Sequence, residues 1–398
     1  MYITRCNEND TSGTNVRIAP GSQKSRASIP LCFNSITKIA TPRVIVCRER
    51  SHVDQYSHVD TIADVSIPRV IWSVTPDQTK SPYIRDIALS LETNGWTVQP
   101  LTLQTIARTS QQVVHIQWPE HVSRGASTAA TVAKHVRAVG VLAALRVRKH
   151  AVVLTAHNQA PHGKSDPFDA WFRRSVQRHA AAVVLLVPGH RDPLTHDGAI
   201  NKDSVVQVIL HPTHNPDTPL ELLPQAERTQ LVVLGQIHPY HQIEEFLDAL
   251  DAQGNSRPVL VVGGVGDDAM LARLTDSLSR RPWLSIRPGF ADDATLEPIL
   301  SRSAAIVSLQ RNTFNSGGPF YALPRGLPII MSNGPQATDI ANRVGDGWVF
   351  SVPENVAALD LAELDKWVDG ERGAPTLEDF DVERIAAQHI ELYELLQS

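Results

Sequence analysis

The stretch from Pro68 to Leu103, PRVIWSVTPDQTKSPYIRDIALSLETNGWTVQPLTL, carries the rhythm that decides the fold. Val70-Ile71-Trp72-Ser73-Val74 is almost continuously apolar, the pattern of a strand covered on both faces. A polar loop then reaches Ser81-Pro82, a helix cap with proline at the first helical position, where its missing N–H is not needed. Tyr83, Ile84, Ile87, Ala88 and Leu91 recur at helical spacing, Asn94-Gly95 closes the helix, and Trp96 to Leu103 reads as a second strand. Strand, helix and strand in this order make one βαβ unit.

Outward from that unit the alternation repeats. Val113 to Ile116 reads as a strand, Ala126 to Val147 as a long Ala/Val-rich helix, and Ala151 to Thr155 as a strand. Helix Asp169 to His179 and strand Ala182 to Val187 follow. Short apolar strands alternating with helices predict a parallel sheet covered on both faces, a doubly wound domain. Four prolines and few apolar residues lie between His211 and Arg228, which marks an interdomain linker. A second series of the same kind begins at Leu231 and runs to the strand Pro328 to Met331. The expected organisation is an N-terminal domain over 68–215, a C-terminal domain over 216–380 and a closing helix over 381–398. Residues 1–67 lack sustained periodicity and are expected to be a disordered extension. Their echo Ser51-His52-Val53-Asp54 and Ser57-His58-Val59-Asp60 is a solvated linker rather than a metal site on this reading.

Composition narrows the function classes. The 398 residues are 42% hydrophobic and 20% charged, enough for two cores, and the net charge of −5 gives no general attraction to nucleic acid. The three cysteines, Cys6, Cys32 and Cys47, all precede the ordered pattern, so neither a disulfide framework nor a thiolate nucleophile is expected. No apolar run approaches the ~20 residues that span a bilayer, and the polar start lacks a signal-peptide core. The expected location is cytoplasmic.

In a doubly wound sheet ligands sit beyond the carboxyl ends of the strands. Phe314-Asn315-Ser316-Gly317-Gly318-Pro319 follows a strand and leads into a short helix, so free N–H groups with the Ser316 hydroxyl make a seat for a phosphate. The alternative is a glycine loop that only turns the chain.

Asn315-Ser316-Gly317, then Ala322-Leu323, then Gly326-Leu327-Pro328-Ile329-Ile330 resembles the donor-binding segment of GT-B glycosyltransferases related to glycosyltransferase family 4. Other stretches are similar to that group in the same order. They are Ser81-Pro82-Tyr83, His115-Ile116-Gln117-Trp118-Pro119-Glu120, Thr155-Ala156-His157-Asn158 with Pro161-His162, Gly235 to His241, Pro288-Gly289-Phe290 and the helix ending Leu392-Tyr393. The similarity runs from about residue 69 to residue 396. It implies an α/β fold of two Rossmann-like domains facing a cleft. It also implies a hexosyltransferase that moves a sugar from a nucleotide-diphosphate donor to a glycan or lipid-linked acceptor, in cell-envelope polysaccharide synthesis. The second domain would hold the donor diphosphate through Asn315, Ser316, Gly317 and Gly318.

The resemblance implies that His157, at a strand end, contacts the donor sugar, where a neutral imidazole can also relay a proton; the alternative is a histidine satisfying loop backbone. Glu120 is the candidate acceptor-side base if the reaction inverts the anomeric centre, with an exposed helix-start glutamate as the other reading. The family's arginine and lysine in the loop after the first strand of the second domain are replaced by Gln236, His238 and His241. His238 and His241 therefore become the candidate phosphate ligands, and Arg311 the candidate cation. The family's acidic pair is replaced by Thr313 and Tyr321. These departures keep a second reading open: a catalytically impaired protein of the same fold that binds a sugar nucleotide or a partner.

Gly264-Val265-Gly266-Asp267-Asp268-Ala269 fits a loose dinucleotide fingerprint but has no ribose-binding acid at the right distance. Asp379-Phe380-Asp381 resembles a metal-binding pair, yet Asp381 is better read as a helix cap. No metal or other cofactor is therefore expected. From His121 to Ser165 there is no Asp or Glu, while Arg124, Lys134, Arg137, Arg146, Arg148, Lys149 and Lys164 all occur. This is either a solvated face or a peripheral contact over 121–165 with anionic lipid at the inner face of the plasma membrane.

Overall fold

A computed structural model describes residues 68–123, 127–157, 166–190, 200–215, 220–310 and 314–398. The expectations for residues 1–67, Arg124, Asn158, Pro161, His162, Lys164, Arg311 and Thr313 lie outside the described residues.

Two six-stranded parallel sheets carry the fold. The first comprises β1 (Arg69–Trp72), β2 (Thr97–Pro100), β3 (Val113–Ile116), β4 (Ala151–Ala156), β5 (Ala180–Leu185) and β6 (Val205–Val208). Its order is β2-β1-β3-β4-β5-β6, with Val70 opposite Val98 on one side and Val113 on the other. The second comprises β7 (Gln230–Leu234), β8 (Val259–Gly263), β9 (Leu284–Pro288), β10 (Ser303–Ser308), β11 (Ile329–Ser332) and β12 (Val349–Val352), in the order β12-β11-β10-β7-β8-β9. This is the doubly wound α/β architecture that the alternation predicted.

The helices of the first sheet are α1 (Pro82–Thr93), α2 (Leu103–Arg108), α3 (Pro119–Ser123), α4 (Thr128–Val147) and α5 (Pro167–His179). α1 starts at Ser81 with Pro82 at its first position, and Tyr83, Ile84, Ile87, Ala88 and Leu91 are its buried stripe. Leu103, expected to end a strand, instead opens α2, because Thr102 accepts a hydrogen bond from the Thr105 N–H and caps a helix there. The edge strands β6 and β12 were not anticipated, although Val205-Val206-Gln207-Val208 and Val349-Phe350-Ser351-Val352 are mostly apolar.

The closing helix, Val382–Gln397, does not stay with the second sheet. It packs along α1, where the Ser90 hydroxyl donates to Glu383 at 2.7 Å and the fully buried Tyr393 ring lies 5.6 Å from Trp96. One apolar cluster therefore includes Val70 and Trp72 of the first sheet, Val232 and Ile306 of the second, and Leu392 and Tyr393. Burying a ring of that size contributes about 2–3 kcal/mol, which is how the last turns of the chain are held on the first domain.

Candidate active site

The order of the second sheet reverses between β7 and β10, and a pocket of about 350 Å³ opens at the carboxyl ends of these two strands. This is the switch point where doubly wound sheets receive ligands. Gly235, Gln236, His238 and His241 line one side, and Ser308, Gln310, Ser316, Gly317 and Gly318 line the other.

The β7 side is shaped by close backbone approach. Gly263 has φ +143°, and a Cβ there would lie 1.7 Å from the Gly235 carbonyl oxygen, so only glycine fits. The N–H of Ile237 donates to the Gly264 carbonyl at 2.7 Å, and the N–H of Gly266 donates back to Ile237 at 3.2 Å. Cβ atoms on Gly264 and Gly266 would meet the side chains of Gln236 and His238. The run Gly264-Val265-Gly266 is thus the floor on which the histidine loop lies, and Asp267 caps the helix after it. Within the loop, the His238 N–H donates to His241 Nδ1 at 3.2 Å.

The β10 side is held from behind by Gln336, which is 2% exposed. Its Oε1 accepts the Ser316 N–H at 2.9 Å, while its Nε2 donates to the Ser316 carbonyl at 2.9 Å and to Asn315 Oδ1 at 3.2 Å. Asn315 therefore supports the loop and is not among the pocket-lining residues. The Ser316 hydroxyl lies 2.8 Å from that of Ser308, and Gly317 is exposed. The helix that follows, Gly318–Ala322, has only five residues, so its dipole adds little and the seat rests on local N–H groups.

In the first domain His157 closes β4 and is buried. Its Nε2–H donates to Gln117 Oε1 at 2.9 Å, which leaves a lone pair on Nδ1, and its ring stacks on Trp118 at 4.2 Å. Burial, with a smaller push from His121, lowers its pKa to about 3, so the ring is neutral at pH 7. Behind it, Gln117 reaches His115, which is bonded to Thr155 at 2.7 Å and to the Tyr393 hydroxyl at 2.6 Å. A buried polar line thus runs from the closing helix to His157. Glu120 lies on α3 and lines a separate pocket of about 550 Å³ with Ser73, His121, Lys134 and Arg137. This second pocket opens at the β1/β3 reversal of the first sheet.

No protein-family model matches the chain. A GDP-mannose:glycolipid 4-beta-D-mannosyltransferase of Xanthomonas campestris pv. campestris is 27% identical over 331 residues, covering 80% of this chain and 89% of the relative. Among solved structures, Anabaena HepE in complex with UDP and glucose aligns with a TM-score of 0.56 at 12% identity, over 83% of this chain and 100% of that one. Sucrose-phosphate synthase of Thermosynechococcus elongatus aligns with a TM-score of 0.58 at 15% identity, over 83% and 98%. At such identities the structures speak for the fold, while the relative matches along nearly its whole length. The chain is a GT-B glycosyltransferase.

The structure of the glycosyltransferase brings Ser316, Gly317, Gly318, His238 and His241 into one pocket and leaves Glu120 in another. It also places against Gly317, outside the pocket lining itself, a residue that the sequence reading assigned to the linker, His211. A Cβ on Gly317 would come within 3.9 Å of His211 Nε2, and the His211 ring stacks on Phe320 at 4.3 Å and leans on Tyr83 at 4.8 Å. The linker is fixed here by backbone: Thr213 N–H donates to the Phe380 carbonyl and His214 N–H to that of Phe320. His214 Nδ1 reaches Asp86 at 2.9 Å. A histidine among prolines carries no periodic signal, so only the folded chain shows what it faces.

Proposed function

We propose that this glycosyltransferase moves mannose from GDP-mannose to a lipid-linked glycan at a membrane surface. The observation that carries the reading is the pocket at the β7/β10 reversal, where the exposed Gly317 and the two loop histidines are assembled for a diphosphate. The Xanthomonas relative supports the choice of donor and acceptor class.

In this reading the diphosphate lies against Gly317 and Gly318, and His157 faces the sugar with its Nδ1 lone pair. An acceptor hydroxyl attacks the anomeric carbon, the bond from that carbon to the phosphate oxygen breaks, and the hydroxyl proton passes to the Glu120 carboxylate. The rate gain comes from positioning and from stabilising the leaving diphosphate. We assign no metal: Asp379 is paired with Arg343 and Arg384, and Asp381 caps the closing helix. A further group, His135, Asp166 and Asp169, is engaged structurally, with Asp166 capping α5 and Asp169 accepting from Ser123.

The acceptor's lipid fits the outer face of α4. Val132, Val136, Val139 and Val147 are exposed there, Val136 by 71%, with Arg146 on the same side of the helix, while Lys134 and Arg137 turn away to the carbonyls of His121 and Leu101. An exposed apolar stripe with a cation on the same side suits an anionic lipid surface. Lys134 and Arg137 also line the Glu120 pocket, so the same helix reaches both lipid and acceptor.

The test is incubation with GDP-mannose, UDP-glucose and a bacterial lipid extract, following both nucleoside diphosphate release and sugar in the lipid phase. Transfer to lipid supports the reading. Binding of donor with neither release nor transfer favours the binding-module alternative.

A further inference from the structure

We infer that His211 is a diphosphate ligand of the donor site and takes a proton on Nε2 as the nucleotide sugar binds. The inference rests on the donor-site reading above and adds the source of positive charge.

A nucleotide sugar brings two negative charges into a partly buried site, and uncompensated charge there is costly. The described lining of the 350 Å³ pocket contains no lysine or arginine. Among the described residues the groups that can take up compensating charge are imidazoles, and their present hydrogen bonds separate them. His241 Nδ1 accepts the His238 N–H, so a second proton on that ring would break the bond that shapes the loop. His211 has the opposite arrangement. Its Nδ1 lies 2.8 Å from the Pro212 carbonyl, so Nδ1 carries a hydrogen and donates it. That bond survives when Nε2 is protonated.

Nε2 is the atom turned toward Gly317, and the residue is 4% exposed. The ring is also held in one orientation, between Phe320 of the second domain and Tyr83 of the first. Little motion is needed to present Nε2–H to a phosphate oxygen.

In the free protein the ring is neutral. Burial first, and the neighbouring His214 next, hold its pKa well below the ordinary histidine value, with His157 adding a smaller push. The other charged or titratable groups packed around it are Tyr83, Asp86, which is bonded to His214, and Arg325, which donates to the His214 carbonyl at 2.8 Å. A bound diphosphate favours the imidazolium and raises the pKa. Donor binding therefore absorbs a proton above the free pKa, and affinity falls as pH rises past the bound pKa.

The experiment is titration calorimetry of the full chain near pH 7.5 with GDP-mannose and UDP-glucose, in buffers of different ionisation enthalpy. Both phosphates of a nucleotide sugar are diesters, which lack the proton of a phosphate monoester that titrates near neutrality, so any uptake belongs to the protein. The wild type should take up a fraction of a proton per donor bound, approaching one at lower pH. His211→Gln should take up none and bind about tenfold more weakly. His238→Gln and His241→Gln should keep the uptake. Wild-type binding without uptake, or unchanged uptake in His211→Gln, overturns the inference and leaves the donor site standing. Failure of every donor to bind overturns the donor-site reading itself.

Discussion

The carboxamide of Gln336 holds the main chain of Ser316 at both ends, accepting its N–H and donating to its carbonyl, each at 2.9 Å. The two residues are twenty positions apart, and their bond fixes the loop that turns Gly317 and Gly318 toward the pocket.

Gln336→Ala should leave two buried main-chain groups unpaired, costing about 2 kcal/mol of stability. Donor affinity should fall as well, because the seat loses its fixed geometry. Calorimetry with the best donor, beside a thermal melt, separates the two effects. Unchanged affinity in a destabilised protein would remove Gln336 from the donor site.

Gly317 has φ −77°, which any residue adopts, and a Cβ would meet nothing closer than His211 Nε2 at 3.9 Å. Gly317→Val should therefore fold with a melting temperature near that of the wild type, yet lose donor binding by tenfold or more because the side chain fills the seat. Gly318→Ala makes the contrast: its Cβ would lie 3.0 Å from the Ser308 hydroxyl, so its loss should include stability. Equal donor affinity in Gly317→Val would place the phosphate elsewhere.

His389 is 1% exposed, and among the described residues neither ring nitrogen has a hydrogen-bond partner. Burial lowers its pKa to about 3, against about 6.5 in the unfolded chain. Between these values the unfolded state binds more protons, so stability is complete above about pH 6.5 and is lost as pH falls toward 3. By pH 5 the loss should be about 2 kcal/mol from this residue. His389→Phe should flatten the acid limb of the profile of melting temperature against pH. Parallel profiles for the two proteins would show that another group sets the acid limit.

The α4 face should bind vesicles containing phosphatidylglycerol and ignore those of phosphatidylcholine alone, with binding weakened by salt. Val136→Asp, at an exposed position, should reduce binding about tenfold without altering the melt or the hydrolysis of free donor. Equal sedimentation of the variant with anionic vesicles would exclude this face.

What the sequence determined by itself is whatever rests on near neighbours. Ser81-Pro82 and the Tyr83 to Leu91 stripe specify α1 wherever it is placed, and the apolar runs specify the inner strands, because caps and periodicity act within a turn or two. The doubly wound class follows from their alternation. The edge strands β6 and β12 were not read, because a four-residue apolar run by itself fits a strand or a buried helix segment equally, and here the hydrogen bonds offered by the neighbouring strand decide. The candidate site divides the same way. Ser316-Gly317-Gly318 could be read as a seat from its own residues, but the Gln336 clamp, the glycine floor under His238 and the placement of His211 against Gly317 could not. Each of these joins residues distant in the chain, and which distant residues meet is decided by the packing of two sheets and the return of the closing helix to α1, where burial of Tyr393 outweighs any local preference.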